Sequence, residues 1–212
     1  MKIEVNPKDT PRAEAFDLWM SSPMPMVTLT KTFNVTHLQR VAHQRNIKFN
    51  ALLCWCIGRA ASQIKEFYFL PENGKLFSFE KLAINVIVNN NQGGISSCDI
   101  PYDDNITTFC DTYNELTHKV SSTSQSSYLE NYMVVGTSAM IQTELDSIVN
   151  QYTDKFCNPM VMWGKYRKNW WKTVLPISFQ FHHVQMDGGH AAYFLEQLQH
   201  EIQYLKLITH PL

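Results

Sequence analysis

The chain of 212 residues is 44% hydrophobic and 12% aromatic, enough apolar material for one large core, with a net charge of -1 and a pI near 6.7. That balance excludes the basic footprint of a protein that binds nucleic acid or an anionic membrane surface. No run approaches the roughly 18 apolar residues of a membrane span, and the opening MKIEVNPKDTPR has no apolar signal core, so a soluble, cytoplasmic, single-domain protein is expected.

Pro11 suits a first helical position, and RAEAFDLWMSS reads as a short helix stopped by Ser21, Ser22 and Pro23. MVTLTKTF (26–33) alternates threonine with apolar or long side chains and predicts a strand with unlike faces. VTHLQRVAHQR follows as an amphipathic helix with Leu38, Val41 and Ala42 on one side. FNALLCWCIGRAASQI (49–64) is apolar nearly all round and predicts a central buried helix, with Asn50 as a candidate cap.

KLAINVIV (81–88), rich in β-branched residues, predicts a strand, and NNNQGG a turn. Ile106, Phe109, Tyr113, Leu116 and Val120 fall at helical spacing, and after the polar loop SSTSQSS the segment YMVVGTSAM (132–140) predicts another strand. Strands over 160–166 and 173–183 flank RKNWWK, as in a hairpin with an aromatic tip. A last helix from about Gly189 carries Leu195, Leu198, Ile202 and Leu205 on one stripe. Interleaved strands and helices without repeats predict an α/β fold, a mixed sheet flanked by helices.

Five cysteines, Cys54, Cys56, Cys98, Cys110 and Cys157, form no CxxC pair and read as reduced core thiols rather than a disulfide framework or a zinc knuckle. Sequons at Asn34 and Asn105 are short patterns that mean little without secretion. The stretch FHHVQMDGGH (181–190) is the candidate for chemistry. A neutral imidazole at His183, at the end of an apolar strand, has the pKa to take a proton from a hydroxyl near pH 7, and a histidine satisfied by hydrogen bonds is the plainer alternative. A metal site would need His182, His183, Asp187 and His190, but neighbouring strand residues point to opposite faces, so no metal is expected. Asp187 either orients His183 or braces the turn before Gly188 and Gly189.

HHVQMDG resembles the HHxxxDG signature of the acyl-CoA-dependent acyltransferases, which include the chloramphenicol acetyltransferases, dihydrolipoyl acyltransferase cores and peptide condensation domains. Its place near the C-terminus, followed by a single amphipathic helix, is similar to the chloramphenicol acetyltransferase arrangement. PRAEAF, the threonine-rich strand, KFNALL, DIPYDD, GTSAM and GKY extend the resemblance over nearly the whole chain.

The resemblance implies a chloramphenicol-acetyltransferase-like fold and direct O-acetylation of a small-molecule hydroxyl by acetyl-CoA, with chloramphenicol as the leading acceptor. It implies a homotrimer with active sites between subunits. His183 matches the general base, Ser138 the serine that stabilises the tetrahedral oxyanion, and Asp187 and Arg12 a structural ion pair. Lys48, Lys165 and Tyr166 match coenzyme-contacting positions, where lysine can neutralise phosphate and tyrosine can stack on adenine.

Departures gather at the acceptor pocket. Met26 stands where resistance enzymes commonly carry cysteine after proline, Trp19 where they carry tyrosine, and Met162 where they carry threonine, which implies a more apolar pocket. A same-fold acyltransferase for another alcohol or a carrier thiol, and a non-catalytic trimer that binds small molecules, are the alternative readings.

Overall fold

The computed structural model describes residues 1–153 and 155–205. Ten strands and five α-helices follow one another in these residues. They are β1 (Ile3–Val5), α1 (Ala13–Trp19), β2 (Met26–Asn34), α2 (Thr36–Arg45), α3 (Phe49–Ser62), β3 (Phe69–Glu72), β4 (Lys75–Ser78) and β5 (Leu82–Asn89). After them come β6 (Ile95–Pro101), α4 (Ile106–Thr123), β7 (Met133–Met140), β8 (Met160–Gly164), β9 (Arg167–Asn169), β10 (Lys172–His182) and α5 (Gly188–Tyr204). The main sheet runs β2-β10-β8-β7-β5-β6 with β9 paired to β10, and a small sheet runs β1-β4-β3. It is mixed: β7 lies parallel to both β5 and β8, and the other pairs are antiparallel.

Strand alternation sorts the faces of β10. Ile177, Phe179 and Phe181 are fully buried, and Phe179 packs on Phe194 of α5 and on Phe67, with ring centroids 4.6 and 5.8 Å away. Ser178 and Gln180 point the other way, toward the segment that follows β7: the Ile148 N–H donates to Ser178 Oγ at 2.9 Å, and Gln180 Nε2 donates to the Asn150 carbonyl at 3.0 Å. Helices therefore cover one face of the sheet, and a polar strap crosses the other. α3 is the centre of the covered layer, with ten buried residues between Ala51 and Ala61, as its continuous apolarity predicts.

Several local expectations are corrected. Pro11 lies outside α1, and Arg12 occupies the N-cap without a side-chain capping bond, because its guanidinium is engaged across the molecule. Lys48, not Asn50, occupies the N-cap of α3. α5 starts at Gly188, one residue early, because Asp187 supplies the cap. The short strands β1, β3 and β4 and the polar strand β6 do not appear in the sequence pattern. The hairpin appears with different bounds: β8, which ends at Gly164, pairs antiparallel with β10 as expected, but Arg167–Asn169 of the expected connection form β9, also paired with β10, and Trp170 and Trp171 alone sit at the tip, 96% and 89% exposed. No helix of the described residues is long and apolar enough to cross a membrane.

Candidate active site

The HHVQMDG turn is fixed from three sides. The His183 N–H donates to the Pro25 carbonyl at 2.8 Å, and the N–H groups of Gln185 and Met186 donate to the His182 carbonyl at 2.9 and 3.2 Å. From the start of α1, Arg12 reaches the turn with all three guanidinium nitrogens. Nη2 donates to the His183 carbonyl and Nε to the Val184 carbonyl, each at 2.9 Å, and Nη1 donates to Asp187 Oδ2 at 3.1 Å. A planar fork with fixed donor directions can satisfy three acceptors at once in this way; a lysine could not. The indole of Trp19, at the other end of α1, stacks on the His183 imidazole, with centroids 4.7 Å apart and planes 10° from parallel.

The two histidines have different environments. His182 is 1% exposed, and its Nδ1 accepts from the Val184 N–H at 3.1 Å. Burial, with a smaller contribution from the neighbouring His183, pushes its pKa down to about 4, so it is a neutral structural group at pH 7. His183 is half-buried, and its Nδ1 is buried without a hydrogen-bond partner among the described residues.

Asp187 makes no side-chain bond to His183. Its Oδ1 accepts from the Gly189 and His190 N–H groups at the start of α5, and its other oxygen takes Arg12. Partial burial acts to raise its pKa, but the Arg12 hydrogen bond, the His190 N–H and the charges of both residues outweigh it and hold the carboxyl below its ordinary range. Of the two roles open in the sequence, this geometry fits bracing the turn. Met26 lies opposite His182 in the β2–β10 pairing, beside this corner.

A second group of residues gathers elsewhere. Lys48, Lys165 and Tyr166 line one cavity of about 430 Å³ with Phe49, Tyr113 and Ile141, and the Tyr166 ring lies 5.4 Å from that of Phe49. Two ammonium groups and an aromatic wall suit a ligand that carries anionic groups and a planar ring. Ser138 lies near this end of β7, opposite Met162 of β8, and Met162 in turn lies opposite Ser178 of β10.

One chain does not bring the two groups together. Ser178 and His182 are four residues apart on β10, about 13 Å at the ordinary strand rise, and two strand spacings of about 4.8 Å separate Ser178 from Ser138. Trp19 and Met26 accompany His183, whereas Met162 accompanies Ser138.

A further cavity of about 450 Å³ opens on the polar face beside Ser138. Gly136 and Met160, each two residues along its strand from Ser138 or Met162 and hence on the same face, line it with Asn85, Ser97, Asp99 and Gln180. Asn85 Nδ2 donates to Ser97 Oγ at 2.6 Å and to Asp99 Oδ1 at 2.7 Å, and the Leu129 N–H donates to Asp99 Oδ2 at 2.9 Å. Sequence reasoning did not single out these polar residues. The available signal was Asn85, a lone amide inside the β-branched run KLAINVIV.

All five cysteines are buried, and burial pushes the Cys54 thiol up to about 12 and those of Cys98 and Cys110 to about 11. Neither these three nor Cys56, whose thiol burial also raises, offers a thiolate at neutral pH for covalent catalysis. Among the described residues no group of three or more His, Cys, Asp or Glu side chains is placed to hold a metal ion.

Comparison with known proteins bears on the same residues. The profile of the family described as chloramphenicol acetyltransferase matches residues 2–199. The chain is 24% identical over 193 residues to chloramphenicol acetyltransferase 2 of Escherichia coli, covering 89% of this chain and 91% of that protein. It is 24% identical over 201 residues to a chloramphenicol acetyltransferase of Bacillus pumilus, covering 91% and 90%. Among solved structures, a chloramphenicol acetyltransferase superposes with a TM-score of 0.83 at 18% identity, covering 95% of this chain and all of that one. A probable dihydrolipoamide acetyltransferase from Listeria monocytogenes superposes with a TM-score of 0.71 at 11% identity, covering 99% and 97%.

Proposed function

The chain belongs to the chloramphenicol acetyltransferase family, and from that premise we propose that it transfers the acetyl group of acetyl-CoA directly to a hydroxyl of a small molecule, with chloramphenicol as the leading acceptor and His183 as general base. The observation that carries this reading is the clamp around His183. Arg12 holds the carbonyls of His183 and Val184, Pro25 holds the His183 N–H, and Trp19 lies flat on the ring, so one imidazole is fixed while its neighbour is buried and neutral. A base held in one geometry loses little entropy on the way to the transition state.

In this mechanism His183 takes the proton of the acceptor hydroxyl as the oxygen attacks the thioester carbonyl. The tetrahedral oxyanion accepts a hydrogen bond from the Ser138 hydroxyl. Collapse breaks the C–S bond, and the departing coenzyme A thiolate receives the proton held on His183. The Lys48, Lys165 and Tyr166 cavity is the proposed seat of the coenzyme. The buried thiols, raised far above neutral pH, support transfer without an acyl-enzyme.

The separation of His183 from Ser138 within one chain supports a homotrimer in which each active site takes His183 from one subunit and Ser138 from its neighbour. Cys54, Cys56, Cys98 and Cys110, buried and outside any disulfide, support a cytoplasmic location. With chloramphenicol as acceptor, the activity would confer resistance to that antibiotic. The test is thiol release from acetyl-CoA in the presence of chloramphenicol and other alcohols. Release that depends on an acceptor and on His183 is expected, and its absence for every alcohol would overturn the reading.

A further inference from the structure

Taking the acyl-transfer reading as its basis, but replacing its leading acceptor, since chloramphenicol has no basic amine, we propose that the cavity beside Ser138 selects a cationic acceptor, a small alcohol that also carries a protonated amine. The cavity contains one charged residue among its described lining residues, Asp99. Asp99 is 4% exposed and makes no ion pair among the described residues; its oxygens are held by Asn85 Nδ2 and the Leu129 N–H, both neutral donors. A buried carboxylate is ordinarily paired with a cation, because hydrogen bonds from neutral donors offset only part of the cost of taking it out of water. A cationic nitrogen entering the cavity supplies the missing charge.

Two further polar atoms of the wall lack a partner among the described residues. Gln180 is 3% exposed, and its Nε2 is committed to Thr28 Oγ1 and the Asn150 carbonyl, both at 3.0 Å. A carbonyl can only accept, which fixes the amide orientation and leaves Gln180 Oε1 buried without a partner among the described residues. Thr153 Oγ1, on the same cavity, is likewise buried and without a partner among the described residues. Buried polar atoms in this condition are uncommon, and two beside one carboxylate in one cavity mark a place where a ligand provides the donors. Asn85 Nδ2 is spent on Ser97 and Asp99, so the amide adds no free cation-repelling donor.

The charge assignment also selects the atom that reacts. An aliphatic amine with a pKa near that of lysine, about 10.4, is protonated at pH 7 and has no lone pair for attack. Held against Asp99 as an ammonium, it is a handle, and the hydroxyl directed toward Ser138 is the group acetylated.

The experiment uses linear primary amino alcohols and the same compounds with the nitrogen N-acetylated, which keeps the hydroxyl and removes the charge. For the wild type, kcat/KM from thiol release is expected to favour the amine by at least about tenfold, the ratio equivalent to 1.4 kcal/mol. Asp99→Asn keeps an acceptor oxygen for Leu129 and is expected to erase that preference by raising KM for the amine alone. Calorimetry without acetyl-CoA is expected to show binding of the amine and not of its amide. If Asp99→Asn does not fold, the wild-type comparison of amine and amide still decides. Equal turnover of the two compounds overturns the inference and leaves acyl transfer standing. Absence of thiol release with any alcohol, combined with amine binding that depends on Asp99, supports the cation site and overturns the acyl-transfer reading. Absence of both amine binding and amine turnover overturns the inference.

Discussion

Arg12 and Asp187 are 175 residues apart in the chain, yet Nη1 of one lies 3.1 Å from Oδ2 of the other. The contact joins the N-cap of α1 to the N-cap of α5, and the histidine turn runs between them. The side chains differ in exposure: Arg12 is 5% exposed and Asp187 43%. Most of what the pair does for stability therefore resides in the arginine, whose other two bonds hold the carbonyls of His183 and Val184.

Arg12→Ala leaves both carbonyls and the carboxylate without their donor and is expected to cost about 3 kcal/mol in urea unfolding. Asp187→Asn removes a solvent-screened charge and keeps a capping oxygen, so its cost is expected to be below about 1 kcal/mol. The double variant should fall short of the sum by about 0.5 kcal/mol or more. Strict additivity in the cycle would mean the two side chains do not meet in solution.

His183→Ala is expected to lower kcat by about a hundred- to ten-thousandfold, the usual contribution of a general base, with little change in thermal midpoint. His182→Asn keeps an acceptor near the Val184 N–H and is expected to retain most of the activity while losing stability, because His182 is buried and structural. Steady-state kinetics and thermal melts of both variants check the assignment. Equal kinetic losses in two folded variants would show that the base has been placed on the wrong residue.

The legibility of these features follows their range in the chain. The strongly patterned elements, α3 with its continuous apolar surface and α4 with its regular stripe, could be read locally because burial dictates their composition. β6 could not: ISSCDIP interleaves serines and an aspartate with apolar residues, because one side of it faces a polar cavity rather than the core. The start of α1 was misread because a side chain there has a distant partner. Arg12 gives α1 no side-chain cap because its guanidinium is used at residues 183–187. His183 and Asp187 stand out in FHHVQMDGGH, but Ser138 was recognisable through the resemblance alone, since spacing cannot show that 178 pairs with 162 and 162 with 138. The Asn85–Asp99 contact likewise depends on the β5–β6 register, in which the two residues stand opposite each other.

The pH dependence of stability should carry the signature of His182. Its folded pKa of about 4 is depressed from 6.5, so between these values the unfolded chain binds more protons than the folded one. Stability from this group is fully present above about pH 6.5 and is lost as pH falls toward 4, a total of roughly 3 kcal/mol. His182→Asn should flatten the urea midpoint over that window. A variant with the same slope as the wild type would assign the acid sensitivity to other groups.

Ser138→Ala is expected to reduce kcat by about a hundred- to a thousandfold without changing the melting temperature, as the loss of one oxyanion donor does. Alone, that result cannot say which chain's histidine the serine serves. The separation along β10 and across β8 can be turned into a stronger test, because His182, the neighbour of His183, and Ser138 lie on the order of 16 Å apart within a subunit. If each site draws one residue from each of two subunits, co-expressing His183→Ala chains with Ser138→Ala chains gives mixed trimers in which some interfaces regain both groups. Activity of the co-expressed material is then expected to exceed that of either variant alone by at least about tenfold, since each parent has lost about a hundredfold or more. Light scattering should report a trimer for wild type and mixture alike. Co-expressed chains that form trimers yet stay as inactive as their parents would place both residues in one subunit's site and remove the reason for assembly across the interface.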